Sequence, residues 1–82
     1  MVEVEFNPSF KKIFSKIKDK SLKDRILKQI DKLIENPNSG KPMRYSRKGT
    51  REIYISPYRL SYYYKEKEDT IVLLDLYHKD DQ

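Results

Sequence analysis

Residues 49 to 69 read GTREIYISPYRLSYYYKEKED. Alternating runs at roughly 50–56 and 59–66 flank Ser56-Pro57, which predicts two antiparallel strands joined by a tight corner; the charged turn EKED then leads to a third strand at about 70–77. Where an ordinary strand would carry Val or Ile, this hairpin holds Arg59 and five tyrosines. Side chains alternate across a sheet, so the pattern sorts them by face. Ile53, Ile55, Leu60, Tyr62, Tyr64, Val72, Leu74 and Leu76 are expected on the covered face. Glu52, Tyr54, Arg59, Ser61, Tyr63, Asp75, Tyr77 and Lys79 fall on the open one. His78 has core-side parity, but at a frayed strand end it could swing to the rim.

Working outward, VEVEF at residues 2–6 alternates apolar and acidic residues as an edge or near-edge strand would. Asn7-Pro8 follows as an N-cap with proline at the first helical position. Phe10, Ile13, Phe14 and Ile17 make one apolar stripe, ending near Asp19-Lys20. Ser21 and Asp24 resemble a capping box that opens a second helix, whose stripe of Leu22, Ile26, Leu27, Ile30, Leu33 and Ile34 stops before Asn36-Pro37. Both stripes need a surface to cover, and the meander supplies it. The fold class expected is α+β: after a first strand, two helices pack on one face of an antiparallel sheet, with a further short strand near 43–45.

With 82 residues, one domain over 1–82 is expected. Hydrophobic residues are 37% and charged residues 38% of the chain, with no long apolar run, so a membrane span is not expected. The chain has no cysteine and one histidine, and the expectation is no metal and no cofactor. The start lacks the basic and apolar regions of a signal peptide, which points to the cytoplasm. Net charge is +5. Nine basic residues between 11 and 32 suit the outer faces of helices. Lys41, Arg44, Arg47, Lys48 and Arg51, uninterrupted by an acid, make a local field that a polyanion would feel, or else a solvated loop. Arg59 and the outward tyrosines Tyr54, Tyr63 and Tyr77 beside those cations suit RNA, since guanidinium forks take phosphates and aromatic rings stack bases.

REIYI followed by YRLSYYY, and the ending LDLYHKDD, resemble elements of the RelE/ParE superfamily of bacterial and archaeal toxins, and the resemblance spans essentially the whole chain. It implies the same α+β fold with a concave functional surface opposite the helices. RelE-type members cut mRNA in the ribosomal A site by metal-free attack of a ribose 2′-hydroxyl on the adjoining phosphate, and a cognate RelB-like antitoxin neutralises them. The resemblance therefore implies an endoribonuclease acting on ribosome and mRNA. ParE-type members instead inhibit DNA gyrase, and a catalytically weak RNA-binding member is a further alternative.

Residue by residue, Arg59 matches the arginine that contacts the scissile phosphate. Its bland alternative is a surface ion pair with Asp75. Lys79 falls where RelE-like toxins carry an arginine. Two family lysines align with Glu52 and Tyr54, so a different base is required; Glu52 could serve, as a glutamate does from another position in the related YoeB toxins. The family's terminal tyrosine is absent, and Tyr77 or Tyr63 could substitute. His78 has the one side chain with an unperturbed pKa near neutrality, about 6.5, and a histidine near this end is catalytic in some relatives.

Overall fold

The computed structural model describes residues 2–43 and 49–78. The chain runs β1 (Glu3–Phe6), α1 (Pro8–Lys16), α2 (Lys20–Glu35), β2 (Lys41–Pro42), β3 (Arg51–Ile55), β4 (Tyr58–Lys65) and β5 (Thr70–His78). The sheet order is β1-β5-β4-β3-β2. β2 to β5 pair antiparallel, as the alternation predicts, and β1 joins β5 in parallel, which makes the sheet mixed. α1 lies over β5 and α2 over β3, so both helices cover one face. A short strand is present at Lys41–Pro42; of the further strand expected near 43–45, Met43 lies just beyond β2 and residues 44 and 45 lie outside the described residues.

Both helix starts have a chemical cause. Asn7 accepts from the Ser9 amide at 3.0 Å ahead of Pro8. α2 is capped by Asp19, whose carboxylate accepts from the Leu22 amide at 3.3 Å, so it begins one residue before Ser21 and α1 ends at Lys16. The expected cap at Ser21 is displaced because Asp19 offers the same acceptor two residues earlier, and an aspartate caps as well as a serine. The stripes behave as expected, with Phe10, Ile17, Leu22, Ile26, Ile30 and Leu33 buried against Ile55, Leu60, Tyr62, Ile71, Leu73 and Leu76. Leu27, counted in the second stripe, is instead 48% exposed.

β5 departs from strict alternation. Ser61 pairs with Asp75 but Tyr62 pairs with Leu73, leaving Leu74 as the surplus residue of a bulge. Before the bulge Ile71 and Leu73 face the core; after it Leu76 does. Val72 and Leu74, expected inside, are only partly buried. A one-residue surplus flips every later side chain to the other face. Asp75 and Tyr77 therefore join Arg59 on the open face, where unbroken alternation from Ile71 would have turned them inward.

A second feature fixes the chain between α2 and the sheet. Tyr62 is fully buried; its hydroxyl donates to the Pro37 carbonyl at 2.8 Å and accepts from the Gly40 amide at 2.9 Å. Burial pushes the phenol's pKa up, against the lowering effect of the Gly40 amide and the Arg51 charge. A Cβ on Gly40 would stand 2.6 Å from that hydroxyl, so the ring occupies the space a side chain would need. Arg51 closes the same turn, donating from Nη1 to the carbonyls of Asn38 at 3.0 Å and Gly40 at 2.8 Å.

Candidate functional site

The open face is built in cross-strand rows. One row sets Tyr54 on β3 opposite Arg59 on β4, and Arg59 opposite Tyr77 on β5. The next sets Lys41, Glu52, Ser61 and Asp75 side by side across four strands. Further along, Tyr63 lies opposite Val72. Four of the expected residues, Glu52, Tyr54, Arg59 and Tyr77, converge. Tyr63 is exposed on the same sheet but two residues beyond the Ser61 row.

Arg59 is the centre of this group. Its Nη1 lies 3.1 Å from Glu52 Oε1, and the Tyr54 ring centroid is 5.6 Å from the guanidinium carbon. The other Glu52 oxygen, Oε2, accepts from the Tyr77 hydroxyl. The Glu52 side chain is 5% exposed and that of Arg59 31%. Burying a carboxylate is costly unless it is paired and hydrogen-bonded, and here it is both. The Arg59 Nε is buried and meets no acceptor among the described residues. A buried orphan donor on a half-exposed guanidinium marks a group whose hydrogen-bonding capacity is not filled by the described residues. The sequence reading's ion pair between Arg59 and Asp75 does not form. Asp75 Oδ1 instead accepts from the Leu76 amide at 2.8 Å.

Other expected residues separate from this group. Arg51 is on β3, but its guanidinium holds the turn carbonyls described above. His78 sits opposite Tyr58, their rings meeting edge to face at 5.5 Å. It lines an open hollow of about 610 Å³ with Ile13, Lys16 and Ile17 of the first helix and with Asp75, Leu76 and Tyr77 of its own strand. Arg44, Arg47, Lys48 and Lys79 lie outside the described residues. The Tyr77 contact to Glu52 joins residues 25 apart in sequence, and only the shared parity of 52 and 77 hinted at it. Among the described residues no group of three or more His, Cys, Asp or Glu could hold a metal ion. Among the described residues no helix is long and apolar enough to cross a membrane.

Residues 4–82 match the family described as the ParE toxin of the parDE type II toxin-antitoxin system. The chain belongs to this toxin family. A Methanocaldococcus jannaschii protein provisionally named toxin RelE4 is 29% identical over 83 residues, covering 98% of this chain and 88% of that protein. Among solved structures, the RelBE2 toxin-antitoxin complex of Mycobacterium tuberculosis matches with 26% identity and a TM-score of 0.74, over 94% of this chain and 96% of that one. The RelE–RelB complex of Pyrococcus horikoshii shares the fold at a TM-score of 0.79 and 18% identity, over 99% and 98% of the two chains. The chain is thus a type II toxin of the RelE/ParE superfamily, with the two-helix-on-sheet architecture of that fold.

Proposed function

We propose that this toxin is a ribosome-dependent endoribonuclease that cuts mRNA in the A site and so arrests translation in the cytoplasm. The observation that carries the reading is Arg59: a half-exposed guanidinium at the middle of the open face, flanked by two tyrosines, with a buried Nε that meets no acceptor among the described residues. A planar fork of permanent charge fits a phosphodiester, and fits better the extra charge of the phosphorane formed during cleavage. Lys41 lies on the same face, and the sequence adds Arg44, Arg47, Lys48 and Lys79 nearby in the chain. Tyr54 and Tyr63, both exposed, offer rings on which bases stack.

In this reading the ribose 2′-hydroxyl attacks phosphorus and the bond to the 5′ oxygen breaks, leaving a 2′,3′-cyclic phosphate and a 5′-hydroxyl. Glu52 takes the proton from the 2′-oxygen, and the Tyr77 phenol gives one to the departing 5′ oxygen. The hydrogen bond between Tyr77 and Glu52 returns the proton to the phenol, so protons balance within the pair. Each such transfer is worth about 10²–10⁴-fold. His78 has no step here. A RelB-like antitoxin is the expected partner, in keeping with the complexes formed by the structural neighbours.

Mapping mRNA 3′ ends on translating ribosomes, with and without the protein, tests this. New ends within the A-site codon are expected. A second reading, inhibition of DNA gyrase, is favoured by one observation: an acidic residue, Glu52, occupies the centre of the face and neutralises Arg59. Loss of gyrase supercoiling activity with no new mRNA ends would select it. Binding to ribosomes without new ends would indicate a catalytically weak member.

A further inference from the structure

The site is closed on itself. A phosphate approaching from solvent meets only the exposed part of Arg59, because Nε is buried and Nη1 is held by Glu52. The guanidinium offers its Nε and Nη2 edge as a fork only if it turns outward, and turning outward breaks the 3.1 Å contact with Glu52. The ring that flanks the guanidinium, Tyr54, is itself 52% exposed, so that side of Arg59 opens to solvent. Glu52 would stay behind, 5% exposed and still hydrogen-bonded by Tyr77.

We infer that Glu52 and the RNA phosphate compete for Arg59, so that substrate binding exchanges the arginine's partner and releases the carboxylate as proton acceptor for the 2′-hydroxyl. The inference rests on the nuclease reading for the second half of that exchange and on geometry alone for the first. Its consequence is an order of events. The base is occupied until a phosphate has engaged Arg59, so the empty toxin carries a neutralised site, and the charge that opens it comes from the substrate itself.

Glu52→Gln tests it, since glutamine keeps the shape and can still accept from Tyr77 but competes weakly for the guanidinium. Binding of a short 2′-O-methyl oligoribonucleotide, which cannot be cleaved by 2′-attack, is measured for the wild type, Glu52→Gln, Arg59→Gln and the double variant. Glu52→Gln is expected to bind about 2- to 5-fold tighter, the scale of a partly exposed ion pair. The gain should vanish in the Arg59→Gln background. A-site cleavage by Glu52→Gln should nonetheless fall by about 10²-fold or more. Binding that is unchanged, weaker or undetectable in Glu52→Gln overturns the exchange. So does a gain that survives removal of Arg59, which would be long-range electrostatics. Competition in the binding arm, with no cleavage by the wild type, leaves the exchange standing and refutes the nuclease reading.

Discussion

Arg51 and Arg59 sit on adjacent strands, both half-buried, and their guanidinium groups do opposite work. Arg51 donates to two neutral carbonyls, those of Asn38 and Gly40, and ties the turn after α2 to β3. Arg59 faces a carboxylate and leaves its Nε without an acceptor among the described residues. Backbone carbonyls in a folded turn do not leave, and no incoming anion replaces them without unfolding the turn. A carboxylate on a neighbouring strand can be exchanged for another anion without unfolding a turn, and Glu52, left buried, keeps the hydrogen bond from Tyr77. The contrast teaches that a cation's partners, more than its exposure, mark it as structural or available.

Removing each member should separate the two roles. Arg59→Ala is expected to abolish growth inhibition and also to lower stability, because Glu52, 5% exposed, loses its cation; inhibition is therefore scored at a temperature where the variant is folded and still binds its antitoxin. Arg59→Lys should restore little, since an ammonium lacks the fork. Tyr62→Phe comes next. It leaves the buried Gly40 amide and the Pro37 carbonyl without their hydroxyl partner and should lower unfolding free energy by about 1–3 kcal/mol, read by denaturant titration. Arg51→Ala should cost about 1 kcal/mol, the turn carbonyls regaining water, and should leave cleavage within a few-fold of wild type where the protein is folded.

A pH measurement sharpens the structural half. Burial raises the Tyr62 pKa above its ordinary value of about 10, and a hydrogen bond to the Asp69 carboxylate raises that of Tyr64. With a raised folded pKa, the unfolded chain loses its proton first, so the contribution is present below about pH 10 and is lost as pH climbs beyond it. Unfolding free energy should therefore decline above about pH 10. Tyr62→Phe should flatten part of that decline and Asp69→Asn another part.

Much of this was readable from the residues. The two apolar stripes, the Asn7-Pro8 start, the corner at Ser56-Pro57 and the sorting of Glu52, Tyr54, Arg59 and Tyr77 to one face follow from periodicity alone. The bulge did not, because IVLL at 71–74 is apolar at every position and alternation is silent where both faces carry aliphatic residues. Continuous alternation with Val72, Leu74 and Leu76 inside accounts for Asp75 and Tyr77 just as well, so the pattern carried no sign of the shift. Nor could pattern separate Arg51 from Arg59. Each is a cation at one end of its strand, and only the folded turn shows which one has carbonyls to hold. The partner of Arg59 was misread for a related reason. Asp75 and Glu52 both share its face, but Asp75 turns to its own neighbour's amide, whereas the longer Glu52 reaches the guanidinium.

The most direct test of the account compares single-turnover A-site cleavage by the wild type, Arg59→Ala and Arg51→Ala on the same programmed ribosomes, at a temperature where all three are folded. The account predicts that Arg59→Ala slows cleavage by about 10²–10³-fold, the scale of losing one preorganised donor to a developing oxyanion, while Arg51→Ala stays within a few-fold of wild type. Cleavage by Arg59→Ala at near wild-type rate, or an equal loss in both variants, would contradict it.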